Sequence, residues 1–295
     1  MIARGRKPSQ LGAQAPGVSK HEALKLTVIR PASGWVTIEW AELFAHRDLL
    51  FFLVWRDLKV RYQQTVLGAA WAILQPLLAV GVFSVVFGKL VTMPSDGLPY
   101  PLFCFAGLII WTFFIHSVVN ATSSVVSNHQ LVEKVYFPRL VIPLATILAG
   151  LVDFAIAFVF LLLVMLAYGV TPSFRVLLAL PLLGIALAGA LGVGALLSAF
   201  NVRFRDVRHI TTLLAQLWSF ATPVVYPASL VPEKWRPLLG LNPMAGIVEG
   251  FRWATIRTDS LSWELVALST ASSVLILVVG LVVFRRLESS FADVI

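Results

Sequence analysis

Six runs of apolar residues dominate this chain, at 68–90, 100–122, 141–169, 176–200, 210–227 and 264–284. A helix needs roughly 20 residues to cross about 30 Å of hydrocarbon, and the runs meet or approach that length, the fifth being the shortest. Composition points the same way: 58% of the 295 residues are hydrophobic and 13% are charged, against about a quarter charged in a soluble domain. The expected fold is an all-α membrane protein with six transmembrane helices. The single Cys104 excludes an intrachain disulfide. No basic stretch followed by a short apolar core opens the chain, so no cleaved signal peptide is expected.

Lysine and arginine gather on the cytoplasmic side of membrane proteins. With the N-terminus inside, only Lys89, Arg175, Lys234, Arg236, Arg252 and Arg257 of the 23 Lys and Arg fall outside, and the other 17 fall inside. Both termini are therefore expected in the cytoplasm. Residues 1–46 read as a cytoplasmic extension. Its first twenty are rich in Gly, Pro, Ser and basic residues, the composition of a disordered segment, and 24–29 fits a short strand. Residues 47–288 form the membrane domain and 289–295 a cytoplasmic tail.

The stretch RDLKVRYQQTVLGAAWAILQP, residues 56–76, joins a basic segment to the first apolar run. Over 49–64 the spacing predicts a helix with Phe51, Trp55, Leu58 and Tyr62 on one face and Arg56, Lys59 and Gln63 on another. Asp57 and Arg61, four apart, are placed to pair. Such a helix lies in the membrane interface, turns at 65–68 and enters the bilayer, where Pro76 interrupts the backbone hydrogen bonds. Its cations serve a plain anchor by snorkelling, or attract an anionic headgroup; local pattern fits both.

Several chemistries are missing. There is no P-loop motif, since Gly88-Lys89 lacks the required glycine spacing. There is no H-E-x-x-H and no Cys/His cluster for a metal. Asp153 is the clear ionisable residue within a span, with His116 a second candidate. A lone carboxylate is a poor ion-coupling relay; it fits better as an Asp hydrogen-bonded to a neighbouring helix or beside a water-filled cavity. Energy for transport is thus expected from a partner.

Three connecting segments stand out. Residues 127–143, SNHQLVEKVYFPRLVIP, predict a short helix over 127–136 ended by Pro138, suited to docking on a soluble protein or to simple connection. NVRFRDVRHI, 201–210, is a basic loop. Residues 227–263 are too long for a hairpin and too apolar for a free loop, and Asn242-Pro243 is a good helix start. Short re-entrant or interfacial helices are expected there, with Met244, Ile247, Val248 and Phe251 on one face. Small residues at 184, 188 and 192, and at 186, 190 and 194, predict close helix packing in the fourth span. Aromatic rings in the spans are usually packing or interfacial belt, though such faces also stack on sugars.

The segments WRDLKVRYQQTVLGAAWAILQPLL, SDGLPYPLF, GLIIWTFF, LVEKVYFPRLVIPLA, NVRFRDVRHI and TPVVYP…VPEKWRPLLGLNPMAGIVEGFRWA, in this order over 47–288, resemble the ABC-2 type permeases that export polysaccharides, with O-antigen and capsule exporters nearest and teichoic acid exporters more distant. The resemblance implies a transporter subunit and no enzyme: a homodimer in the inner membrane with two separate ATPase subunits that bind ATP and Mg, acting on an undecaprenyl-linked polysaccharide and not on nucleic acid. It implies an interface helix at 49–64 with Arg56, Lys59, Arg61 and Tyr62 at a lateral gate for the lipid pyrophosphate. It implies a coupling helix near 127–138 with Glu133, Lys134, Tyr136, Phe137 and Arg139 facing the ATPase. It also implies a channel whose aromatic lining would include Trp71, Phe83, Phe87, Trp111, Phe114, Trp218 and Tyr226, and an outer gate after Tyr226. An ABC-2 exporter of small lipids or drugs is the alternative within the class. A membrane enzyme on polyprenyl-linked sugars would need clustered carboxylates, and Asp48, Asp57, Glu133 and Asp206 lie on three separate segments.

Overall fold

A computed structural model describes residues 40–63, 68–258 and 261–291. The expected disordered start and the strand at 24–29 lie outside the described residues, as do residues 65–67 of the expected turn. Every element among the described residues is helical. Two helices come first, α1 (Trp40–Ala45) and α2 (Arg47–Tyr62). Then come α3 (Trp71–Phe83, extended by π-helical turns over Ser84–Leu90), α4 (Tyr100–Ser127), α5 (His129–Lys134), α6 (Val141–Ala167), α7 (Ala179–Arg203), α8 (Val207–Ala221), α9 (Arg236–Gly240), α10 (Ala245–Ile256) and α11 (Trp263–Glu288).

Five of these segments are long and apolar enough to cross a membrane: Trp71–Leu90, Tyr100–Ser127, Val141–Ala167, Phe174–Arg203 and Trp263–Glu288. The expected fifth run, 210–227, is helical only as far as Ala221, the end of the 15-residue α8, which is about 22 Å long at 1.5 Å per residue. Its end has a local cause. Thr222 precedes Pro223 and is extended, φ −106° and ψ 136°, because the proline ring disfavours helical backbone in the residue before it.

α4 is the central helix, buried along most of its length between α6 and α7. The expected tight packing of α7 is present and selective. A Cβ on Gly194 would sit 2.7 Å from Ala121 of α4, and one on Gly280 of α11 would sit 2.0 Å from the Gly192 carbonyl oxygen. Gly184, by contrast, has nothing within 4 Å and takes no part.

The segment after α8 turns inward. The helix expected after Asn242-Pro243 is present but begins later, at Ala245 with Met244 at its N-cap; Asn242 lies in the turn before it, where its Oδ1 accepts from the Met244 N–H at 3.0 Å. Met244, Ile247, Val248 and Phe251 are fully buried, but so are nearly all other residues of α10, so the helix is enclosed by protein and not laid on a surface. Gly246 permits this, since a Cβ there would meet the Leu265 carbonyl oxygen at 2.4 Å. Three serines of α11 satisfy the exposed backbone of this turn. Ser269 donates to Asn242 O (2.8 Å) and accepts from Gly246 N (2.9 Å), Ser272 donates to Gly240 O (3.2 Å), and Ser273 to Pro243 O (3.2 Å).

Candidate functional site

α2 turns Leu53 fully into α6 and leaves Phe51, Phe52 and Trp55 exposed at 60–71%. The expected aromatic stripe is therefore divided. Phe51 and Trp55 face outward, whereas Tyr62, with Arg61, reaches a cavity of about 340 Å³ between α2, α3, α4 and α6. α3 contributes Trp71 and Gln75, α4 contributes His116, Ser117 and Asn120, and α6 contributes Thr146, Gly150 and Asp153. The α6 residues recur at spacings of four and three, so one face of that helix carries them all.

Asp153 is the electrostatic centre of the cavity. Its Oδ2 accepts from Arg61 Nη1 and its Oδ1 from the Tyr62 hydroxyl. Burial, and then the hydrogen bond to Asp153, raise the Tyr62 phenol above its ordinary value, so it remains a donor at neutral pH. The expected Asp57–Arg61 pair is not formed. Asp57 instead binds Arg56 at 2.8 Å and accepts from Thr146 of α6 at 3.3 Å. Asp57 is already taken by Arg56 and Thr146, and the packing of α2 on α6 brings Asp153 to Arg61 instead. Ser117 Oγ is buried with no hydrogen-bond partner among the described residues.

Of the four gate candidates, Arg61 and Tyr62 line the cavity, Arg56 lies one pair away on Asp57, and Lys59 is exposed. Of the seven channel candidates only Trp71 lines it; Phe113 and Phe154, which the sequence reading passed over, do as well. Trp111 and Phe114 are buried and pack with Trp218 at centroid distances of 5.2–6.3 Å, and in this chain they form core. Trp218 also donates from Nε1 to Asn242 Oδ1 at 3.0 Å. Phe83 and Phe87 pack with tilted rings along α3 and its extension, centroids 5.9 Å apart, and the Tyr226 hydroxyl donates to Phe220 O at 3.2 Å.

The coupling candidates also separate. α5 is shorter than expected and ends at Lys134, with Val135 extended. Glu133, Lys134 and Tyr136 project outward, pinned by buried Val132 and Phe137. Arg139 is occupied internally: its backbone N–H donates to Glu288 Oε1 at 2.8 Å, its side chain donates to Glu288 O, and its guanidinium lies 5.8 Å from the Phe291 ring centroid.

One charged pair was missed. Arg252 is wholly buried in α10, its guanidinium 3.8 Å from the Phe103 ring centroid, donating to Phe103 O (3.2 Å) and Val224 O and reaching Glu249 Oε1 at 3.4 Å. Glu249 in turn accepts from Ala228 N at 2.7 Å. The pair fastens the segment after α8 to α4. The signal was present in the sequence as Glu and Arg three apart inside MAGIVEGFRWATI.

The family described as ABC-2 type transporter matches residues 48–256 of this chain. The chain belongs to the ABC-2 type transporter family. Among relatives of this permease, an O-antigen export system permease protein, RfbA, of Myxococcus xanthus is 34% identical over 254 residues, covering 85% of this chain and 97% of that one. RfbA of Klebsiella pneumoniae is 29% identical over 249 residues, covering 84% and 95%. The polysialic acid transport protein KpsM of Escherichia coli is 26% identical over 250 residues, covering 80% and 92%. The match to the family begins within α2 and ends with α10, so it contains Arg61, Tyr62, Asp153 and the Glu249–Arg252 pair.

Proposed function

We propose that this permease is the membrane subunit of an ATP-driven exporter that moves a lipid-linked polysaccharide, of O-antigen or capsule type, out of the cytoplasm across the inner membrane. The observation that carries the reading is similarity over nearly the whole length of relatives named for O-antigen export. The cavity supports it. A donor-rich pocket opens at the end of an interfacial helix with exposed aromatic residues, where an anionic lipid headgroup is attracted and its tail stays in the bilayer. The chain works as a homodimer with both termini in the cytoplasm. α8 and the extended backbone after it complete a sixth crossing, and α9 and α10 form the outer gate as re-entrant segments, since irregular backbone at membrane depth needs protein or water around it.

ATP and Mg are bound by two partner ATPases, because the chain has no P-loop. Glu133, Lys134 and Tyr136 form the docking surface. Arg139 ties that loop to the end of α11, so a push on the loop is passed to a helix whose serines hold the start of α10.

Arg61→Ala is expected to lower surface polysaccharide by about tenfold or more, the worth of a hydrogen bond to a charged group, with permease level and ATPase co-purification unchanged. Lys59→Ala, outside the cavity, should leave export near normal. Normal surface polysaccharide in Arg61→Ala removes this cavity from the transport path.

A further inference from the structure

Among the described residues the cavity under α2 contains one carboxylate, and that carboxylate occupies the cavity's strongest donors. Asp153 accepts from both Arg61 and Tyr62. The ion pair is only partly buried, with side-chain exposures of 31% and 29%. Further donors stand in the same wall: Gln75, His116 and Asn120, together with the unpartnered hydroxyl of Ser117. Gly150 keeps that hydroxyl clear, since a Cβ there would lie 3.3 Å from it. An oxyanion held by a guanidinium and a phenol, with more donors beyond it, is the arrangement a phosphate would take, because the guanidinium fork fits carboxylate and phosphate alike.

The charge balance gives Asp153 a purpose. A membrane surface is crowded with singly charged phospholipid headgroups, and an unopposed Arg61 would bind any of them. With Asp153 in place, a monoanion that displaces it exchanges one negative charge for another. A diphosphate brings more charge and more acceptor oxygens, enough for Arg61, Tyr62 and the remaining donors together. We propose that Asp153 is an internal stand-in for the ligand's anionic group and sets the specificity of this site for a diphosphate-bearing lipid over singly charged headgroups. The identity of that lipid rests on the export reading; the anion filter does not.

The test uses the full chain in phosphatidylcholine nanodiscs containing either a polyprenyl diphosphate or phosphatidylglycerol, with inorganic diphosphate and inorganic phosphate as soluble probes. The unmodified chain should prefer the polyprenyl diphosphate by about tenfold or more. Asp153→Asn should bind phosphatidylglycerol about tenfold more tightly than the unmodified chain does and lose most of the preference. Adding Arg61→Gln should abolish binding of both lipids. An Asp153→Asn chain that keeps its preference, or weakens for both lipids alike, overturns the proposal and makes Asp153 an anchor for α2. Asp153→Ser is made in parallel; if melting shows that neither variant folds, the residue belongs to the fold and the proposal falls. If no form binds the polyprenyl diphosphate, yet Asp153→Asn loses discrimination between inorganic diphosphate and phosphate, the filter stands and the export reading fails.

Discussion

Arg252→Ala is expected to destabilise the permease by about 3–5 kcal/mol, the cost of removing one partner of a buried ion pair. The arginine is wholly enclosed, and it serves Glu249, the Phe103 and Val224 carbonyls and the Phe103 ring at once. Alanine leaves the Glu249 carboxylate buried beside unsatisfied carbonyls. Lysine should rescue little, because a single ammonium cannot reproduce the fork. Arg252→Met combined with Glu249→Gln should recover most of the loss, since the uncompensated charge goes as well. Thermal unfolding in detergent measures this. An alanine variant that melts with the unmodified chain would show that the pair does not hold the segment after α8.

Gly280→Val is expected to be the most damaging change in the bundle that touches no charged group. Its Cβ would lie 2.0 Å from Gly192 O and 2.7 Å from Gly192 C, both backbone atoms that no rotamer can move. α7 and α11 would have to separate, and overpacking of this kind costs about 1–3 kcal/mol or more. α11 also holds the start of α10 through Ser269 and Ser273, so export should fall along with stability. Gly184→Ala is the internal contrast. Nothing lies within 4 Å of that site, and alanine should be neutral or stabilising by about 0.5–1 kcal/mol through helix propensity. Melting temperatures that fail to separate the two variants would contradict the packing account of α7.

The features set by local physics were legible in the sequence. α3, α4, α6, α7 and α11 lie close to predicted spans because twenty apolar residues have few alternatives in a bilayer, and Asn242-Pro243 falls just before α10, with the Asn242 side chain accepting from the Met244 N–H. Contacts across long separations were not legible. Arg61 finds Asp153 at 92 residues' distance, and only the packing of α2 on α6 brings them together; from the sequence, Asp57 four residues away was the natural partner. The family resemblance put Arg139 among the residues facing the ATPase, and nothing in the sequence pointed to Glu288, 149 residues on, which accepts from its backbone N–H and side chain. The aromatic residues show the same limit. Trp111, Phe114 and Trp218 stand at sensible positions for a lining, but only the three-dimensional packing reveals that the first two are core.

The central claim is that this permease exports a lipid-linked polysaccharide, and deletion of its gene followed by fractionation of lipid-linked glycan tests that most directly. The account predicts long glycan accumulating on the cytoplasmic side and disappearing from the surface, with restoration by the unmodified chain. Short glycan or none in either compartment would contradict it and move the protein from export to synthesis.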